Sequence, residues 1–342
     1  MRSSETYQGN KTQYNEFRKK LRKPKTAEII LGYRCNFRCQ HCGVDAGPNR
    51  KDKLNEKLIN EYLKGIQILG FKEIFITGGE PTLYMSYLKQ IFSFAKKHEI
   101  EIRLNTNGSW ITDKDISRFI FKNIKETNGR IFLSIDDFHI KHISEDILME
   151  AVYQSLLNLN ECHIITMAVS NSILPRIIYL ALKKISAEII TRETIEAEGY
   201  IKQLILKTSK GYIFIDYHVL SLFGRAELLN LKEPPNKQEY SKFPNNCPNI
   251  FFTLRENGTI SLCGAAGEFF SIANNWGLLE EGSFFKIFSE LKDFTENDLS
   301  YLKGLDIIRT SNIYNISIIG FSQCELCYEF GKRGINLIQS EE

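Results

Sequence analysis

Residues Thr26 to Gly43 read TAEIILGYRCNFRCQHCG. The first half, Thr26-Ala27-Glu28-Ile29-Ile30-Leu31-Gly32-Tyr33, is apolar and β-branched enough to read as a short strand. It runs into Cys35, Cys39 and Cys42, three of the chain's eight cysteines within eight residues, followed by Gly43. A tetrahedral zinc site would want a fourth ligand nearby, whereas three thiolates can hold three corners of a [4Fe-4S] cube and leave one iron open to a small chelating ligand.

Working outward, strand and helix signals alternate. Residues 54 to 70 read as a helix stopped by Gly70. Strand-like Glu73 to Thr77 precedes a helix near 85 to 98, and Ile100 to Asn105 precedes one near 113 to 126. Ile131 to Ile135 precedes one near 144 to 159, and His163 to Val169 one near 173 to 185. Residues 212 to 220 supply a sixth strand. This alternation predicts an α/β fold, a partial (βα)6 TIM-like barrel with a parallel sheet. In such barrels the chemistry gathers at the C-terminal ends of the strands. The polar, glycine-bearing stretches fall there: the cysteine loop, Thr77 to Pro81, Asn105 to Gly108, and Ser134 to His139.

Beyond Glu233-Pro234-Pro235 and Pro244-Asn245-Asn246 the pattern changes. Phe251 to Glu256 and Thr259 to Cys263 flank Asn257-Gly258, a two-residue signal for a hairpin with a type I′ turn, and residues 283 to 292 look helical. The expected domains are a polar, basic N-terminal arm (1–25), the barrel (26–230), a linker (231–246), a small C-terminal β-hairpin plus helix domain (247–335) and a tail (336–342).

The 342 residues, 43% of them hydrophobic, can build a sizeable core, and a net charge of +3 gives no argument for nucleic acid as partner. The basic run Arg18 to Lys25 reads as a solvated arm. No signal peptide and no stretch of roughly 18 apolar residues stands out, so the expectation is a cytoplasmic protein with no membrane partner. In a reducing compartment the thiols stay available for metal.

With the next motif, the sequence resembles the radical SAM superfamily, whose signature is C-x3-C-x-aromatic-C. His41 stands here in the aromatic place, and Gly78-Gly79-Glu80-Pro81 follows the second strand, where these enzymes carry a GGEP segment that receives the amino group of S-adenosylmethionine. The resemblance implies a catalytic [4Fe-4S] cluster on Cys35, Cys39 and Cys42. It also implies S-adenosylmethionine on the open iron and reductive cleavage to a 5′-deoxyadenosyl radical that takes a substrate hydrogen. It further implies cofactor contacts from Asn105 and Asn107, from Ser134 and Asp136, and from Val169 after the fifth strand. Gly224-Arg225-Ala226 resembles a GRA segment common in relatives with a C-terminal cluster domain, but with no role evident for Arg225.

The remaining cysteines are Cys247, Cys263 and the pair Cys324-x2-Cys327, with Cys162 alone. Four thiolates suit either a second [4Fe-4S] cluster or a structural zinc on spacing alone. The layout resembles the short "twitch" form of the SPASM auxiliary-cluster region, which implies a second cluster with no open iron. Cys162 is a candidate hydrogen-atom donor or a buried core thiol. His139 could contact substrate or cap a helix. The charged stretch Arg192-Glu193 and Glu196 to Glu198 could be a substrate loop or a solvated face. The implied function is a radical SAM oxidoreductase or maturase, acting on a ribosomally made peptide in natural-product biosynthesis, with an electron donor such as flavodoxin or ferredoxin. A carbohydrate or aminocyclitol dehydrogenase or epimerase is the alternative substrate class, and a zinc-binding structural or interaction protein the alternative of another kind.

Overall fold

The computed structural model describes residues 26–167, 173–197, 200–218, 220, 224–229, 252–258 and 260–261. The parallel α/β pattern appears in order: β1 (Thr26–Ile30), α1 (Glu56–Leu69), β2 (Glu73–Thr77), α2 (Met85–His98), β3 (Glu101–Thr106), α3 (Lys114–Glu126), β4 (Arg130–Ser134), α4 (Glu145–Leu159), β5 (Glu161–Met167) and α5 (Ile173–Lys184). The glycine stop is where the sequence put it: Gly70 is left-handed at φ 74°, and its amide bonds back to the last turn of α1.

The sixth unit departs from simple alternation. After α5 the chain forms β6 (Ile189–Ala197) and β7 (Tyr200–Thr208), an antiparallel pair, before β8 (Gly211–His218) returns parallel to β5. Arg192, Glu193 and Glu196 therefore belong to a strand and not to a loop. β6 lies at one end of the sheet, and residues 189–194 are exposed, so neither face needs the apolar alternation that would have announced a strand.

The hairpin after the linker is also placed by tertiary contacts. β9 (Phe252–Leu254) pairs parallel with β1, and β10 (Ile260–Ser261) pairs antiparallel with β9, so the hairpin extends the main sheet. Thr253 donates to the buried carboxylate of Glu28 at 2.6 Å, and Tyr62 donates to the Arg255 carbonyl at 2.6 Å. The turn is not type I′, because that needs positive φ at both central residues. Gly258 has φ 89° but Asn257 is not left-handed, and Gly258 N–H instead closes onto the Arg255 carbonyl at 3.1 Å.

Among the described residues the sheet runs β10-β9-β1-β2-β3-β4-β5-β8-β7-β6, a mostly parallel α/β sheet as a partial barrel requires. Because β1 to β5 are parallel, their C-terminal ends share one edge. Fully buried Ile29, Leu31, Ile74, Ile76, Ile102, Leu104, Ile120, Ile124 and Ile164 form the core between strands and helices. The loops that leave that edge hold the polar motifs. No helix among the described residues is long and apolar enough to cross a membrane.

Candidate active site

The cysteine loop leaves the end of β1 and folds back on itself. Cys35 N–H bonds to the Gly47 carbonyl (3.1 Å) and Gly47 N–H to the Tyr33 carbonyl (3.0 Å), while Cys42 N–H closes a turn onto the Cys39 carbonyl (3.3 Å). Cys39 is buried; Cys35 and Cys42 are half-buried. Two of the sulfurs already receive backbone donors, Phe37 N–H to Cys35 Sγ at 3.4 Å and Ala46 N–H to Cys42 Sγ at 3.3 Å. Such N–H donors favour a sulfur that carries negative charge. Burial, joined by the nearby Glu80, Cys39 and Cys42 and opposed by the Phe37 N–H, pushes the Cys35 thiol up to about 12, so a thiolate there needs a cationic metal to sustain it. Soft donors in one loop, with amides aimed at two of them, fit an iron–sulfur cluster.

The GGEP segment is locked against this loop. Gly79 N–H bonds to the Gly32 carbonyl (2.8 Å) and Glu80 N–H to the Arg34 carbonyl (3.0 Å). A Cβ on Gly79 would overlap the Arg34 carbonyl, and Gly78 holds φ 126°. Only glycine lets the two backbones approach this closely. Gly79→Ala should therefore lower stability by about 1–3 kcal/mol in urea denaturation and loosen the loop that carries Cys35. Pro81 begins a 3-10 turn, Pro81–Tyr84, capped by Glu80, and Tyr84 returns its hydroxyl to accept from Arg34 N–H at 2.9 Å.

Glu80 itself is turned inward, at 1% exposure. Its carboxylate accepts from Thr82 N–H (3.1 Å), Thr82 Oγ1 (2.7 Å), Thr106 Oγ1 (2.8 Å) and Asn107 N–H (2.9 Å). Burial raises its pKa, against these four donors. The side chain thus braces the end of β2 to the end of β3. Asn107 continues the brace, since its Nδ2 donates to Asn36 Oδ1 at 2.8 Å and lies 3.8 Å from Cys35 Sγ. Asn36 in turn donates to Ser109 Oγ at 2.8 Å.

At the end of β4, Asp136 is 2% exposed and accepts from Phe138 N–H and His139 N–H, both at 2.9 Å. It also pairs with His139 Nδ1 (2.9 Å) and His41 Nε2 (3.5 Å). Burial alone would raise its pKa, but the bond and charge of His139, with His41, outweigh that and bring it down to about 2. Burial would likewise depress His139, yet Asp136 and a bond to Cys39 raise it to about 10. Burial lowers His41 to about 4. The His41 ring stacks on Phe138 with centroids 4.5 Å apart, and its buried Nδ1 has no hydrogen-bond partner among the described residues. Ligand atoms of Cys39, His41 and His139 lie within 4.8 Å of one another.

Asn105 and Ser134, half-buried on neighbouring strands, face each other at 3.4 Å. Cys162 lies apart from all of these. It is the second residue of β5, at the far end from the loops, 1% exposed and bonded to Ser155 of α4. Five residues of strand, roughly 16 Å, separate it from the loop edge, and it is packed in the core. Val169, Cys247, Cys263, Cys324 and Cys327 lie outside the described residues. Sequence reasoning missed Asn36 and Thr106, which carry no signal of their own, and the contacts of Arg225.

Comparison with known proteins follows this geometry. Residues 29–174 match the Radical SAM superfamily model. A proposed peptide biosynthesis protein of Bacillus subtilis (strain 168), YydG, is 28% identical over 138 residues, covering 38% of this chain and 42% of YydG. The GTP 3′,8-cyclase of Aliarcobacter butzleri (strain RM4018) is 27% identical over 143 residues, covering 40% of this chain and 42% of that protein. The match thus spans about two-fifths of the length of these relatives. Among solved structures, Streptococcus suis SuiB superposes with TM-score 0.49 at 16% identity, over 85% of this chain and 73% of SuiB.

Proposed function

We propose that this chain, whose residues 29–174 match the Radical SAM superfamily model, is a radical SAM enzyme that modifies a ribosomally made peptide. The observation that carries the reading is the bonding of GGEP to the cysteine loop, through Gly79 N–H to Gly32 and Glu80 N–H to Arg34. Three thiols and the segment that would take the methionine end of the cofactor are thereby held side by side at one sheet edge.

Cys35, Cys39 and Cys42 would hold a [4Fe-4S] cluster. With S-adenosylmethionine it supplies one-electron cleavage of the sulfonium and, from that, hydrogen abstraction from substrate. The chain's own residues do the positioning. Gly78 and Gly79 let the segment pack directly on the cysteine loop, and the Asn105–Ser134 pair offers short polar groups suited to a ribose. Nδ1 of His41, without a partner among the described residues, is a buried polar atom that a bound nucleoside would satisfy. Glu80, Asn107 and Asp136 act from behind, because their side chains are already engaged within the protein. Cys247, Cys263, Cys324 and Cys327 would hold a second cluster, for electron transfer or support. The peptide as substrate class rests on the likeness to YydG.

The test is anaerobic reconstitution with iron and sulfide. The expected protein is brown, carries about eight irons per chain, and releases 5′-deoxyadenosine when reduced with S-adenosylmethionine. A colourless, zinc-loaded protein without cleavage would overturn the reading; about four irons with cleavage would remove only the second cluster.

A further inference from the structure

We propose that Arg225, far outside the cysteine motif, is the positioning residue that holds the metal-binding loop in shape. It stands in the 3-10 turn Gly224–Leu228 that follows β8, and its side chain is only 10% exposed. Nε donates to the Cys39 carbonyl at 2.8 Å, Nη2 to the Ala46 carbonyl at 2.6 Å and Nη1 to Asp45 Oδ1 at 2.6 Å. Its own backbone N–H donates to the Cys42 carbonyl at 3.0 Å. Four bonds from one residue thus clasp the stretch from Cys39 to Ala46, which contains two of the three cysteines.

The approach is close because residue 224 is glycine. At φ 60° it is left-handed, and a Cβ there would overlap the Gly43 carbonyl. The planar guanidinium suits three divergent acceptors in a way that a lysine ammonium does not. The clasp also reaches a sulfur at one remove. Ala46, whose carbonyl Arg225 binds, is the residue whose N–H donates to Cys42 Sγ. Donors to a ligating sulfur tune the potential of an iron–sulfur cluster, so Arg225 acts on redox properties through Ala46 as well as on loop shape. Since Arg225 arrives after β8, the loop near the start of the sheet is completed only when β8 is in place beside β5.

This proposal rests on the reading that Cys39 and Cys42 hold the cluster. Its test compares the full-length chain with Arg225→Ala, Arg225→Lys and Asp45→Asn after anaerobic reconstitution. Two quantities are read, the rate of iron loss to a chelator and the midpoint potential by electron paramagnetic resonance titration. Arg225→Ala is expected to lose iron at least tenfold faster and to shift the potential, with Arg225→Lys closer to alanine than to wild type. Asp45→Asn, at a residue whose side chain is 55% exposed, keeps the test available if Arg225→Ala does not fold, and is expected to speed iron loss a few-fold. Wild-type iron retention and potential in all three variants would overturn the proposal. A wild-type chain that takes up no iron would overturn the functional reading itself, and the two failures are thereby distinct.

Discussion

Serine at Cys35, Cys39 or Cys42 should remove the share of the visible iron–sulfur absorbance that belongs to the first cluster and abolish S-adenosylmethionine cleavage, while serine at Cys162 should leave both intact. The loop supplies three ligands, and the metal-binding free energy of a small thiolate site is on the order of 10 kcal/mol or more, so losing one of three is worth several kcal/mol and over 100-fold in affinity. The apo fold should tolerate the change at Cys35 and Cys42, which are half-buried. Cys162 gives the opposite profile: fully buried beside Ser155, it should lose about 1–2 kcal/mol of stability in urea when replaced and keep its iron. Iron content and the urea midpoint, measured on the same four variants, separate the roles. A loop variant with the full wild-type iron content would contradict the ligand assignment.

Glu80→Ala should unfold more easily by about 3–5 kcal/mol, since it strips the acceptor from four buried donors at once. Against a total stability of roughly 5–15 kcal/mol that is a severe loss. Glu80→Gln keeps the shape but turns an amide group toward donors, and should cost about 1–3 kcal/mol. If Glu80 acted only on cofactor, both variants would keep wild-type denaturation midpoints and lose activity alone. The brace predicts the reverse order of effects, with stability falling first and iron retention falling with it through Asn107 and Asn36, which adjoin Cys35.

Much of the fold was legible because its signals are local. β2 and α2 fall on the residues that their periodicity and end signals mark, and Gly70 ends α1 because a left-handed residue there needs no Cβ. β6 was not legible, since an edge strand whose residues 189–194 are exposed, Arg192 and Glu193 among them, has no buried face there to impose alternation. The turn at Asn257-Gly258 was visible, but its type was not, because five residues stand between the paired Leu254 and Ile260 and Gly258 N–H closes onto the Arg255 carbonyl.

The site divides in the same way. By itself the sequence determined that three cysteines follow the first strand and that two glycines follow the second, because covalent spacing and backbone freedom are properties of short stretches. The tertiary structure decided what the neighbours do. It turned Glu80 and Asp136 inward to hold other residues, sent Cys162 to the far end of β5 and brought Arg225 onto the cysteine loop. Those outcomes depend on which buried donor finds which acceptor across 26 to 186 residues of chain, as in Thr106 with Glu80 and Arg225 with Cys39, and a hydrogen bond carries no mark of its partner in sequence.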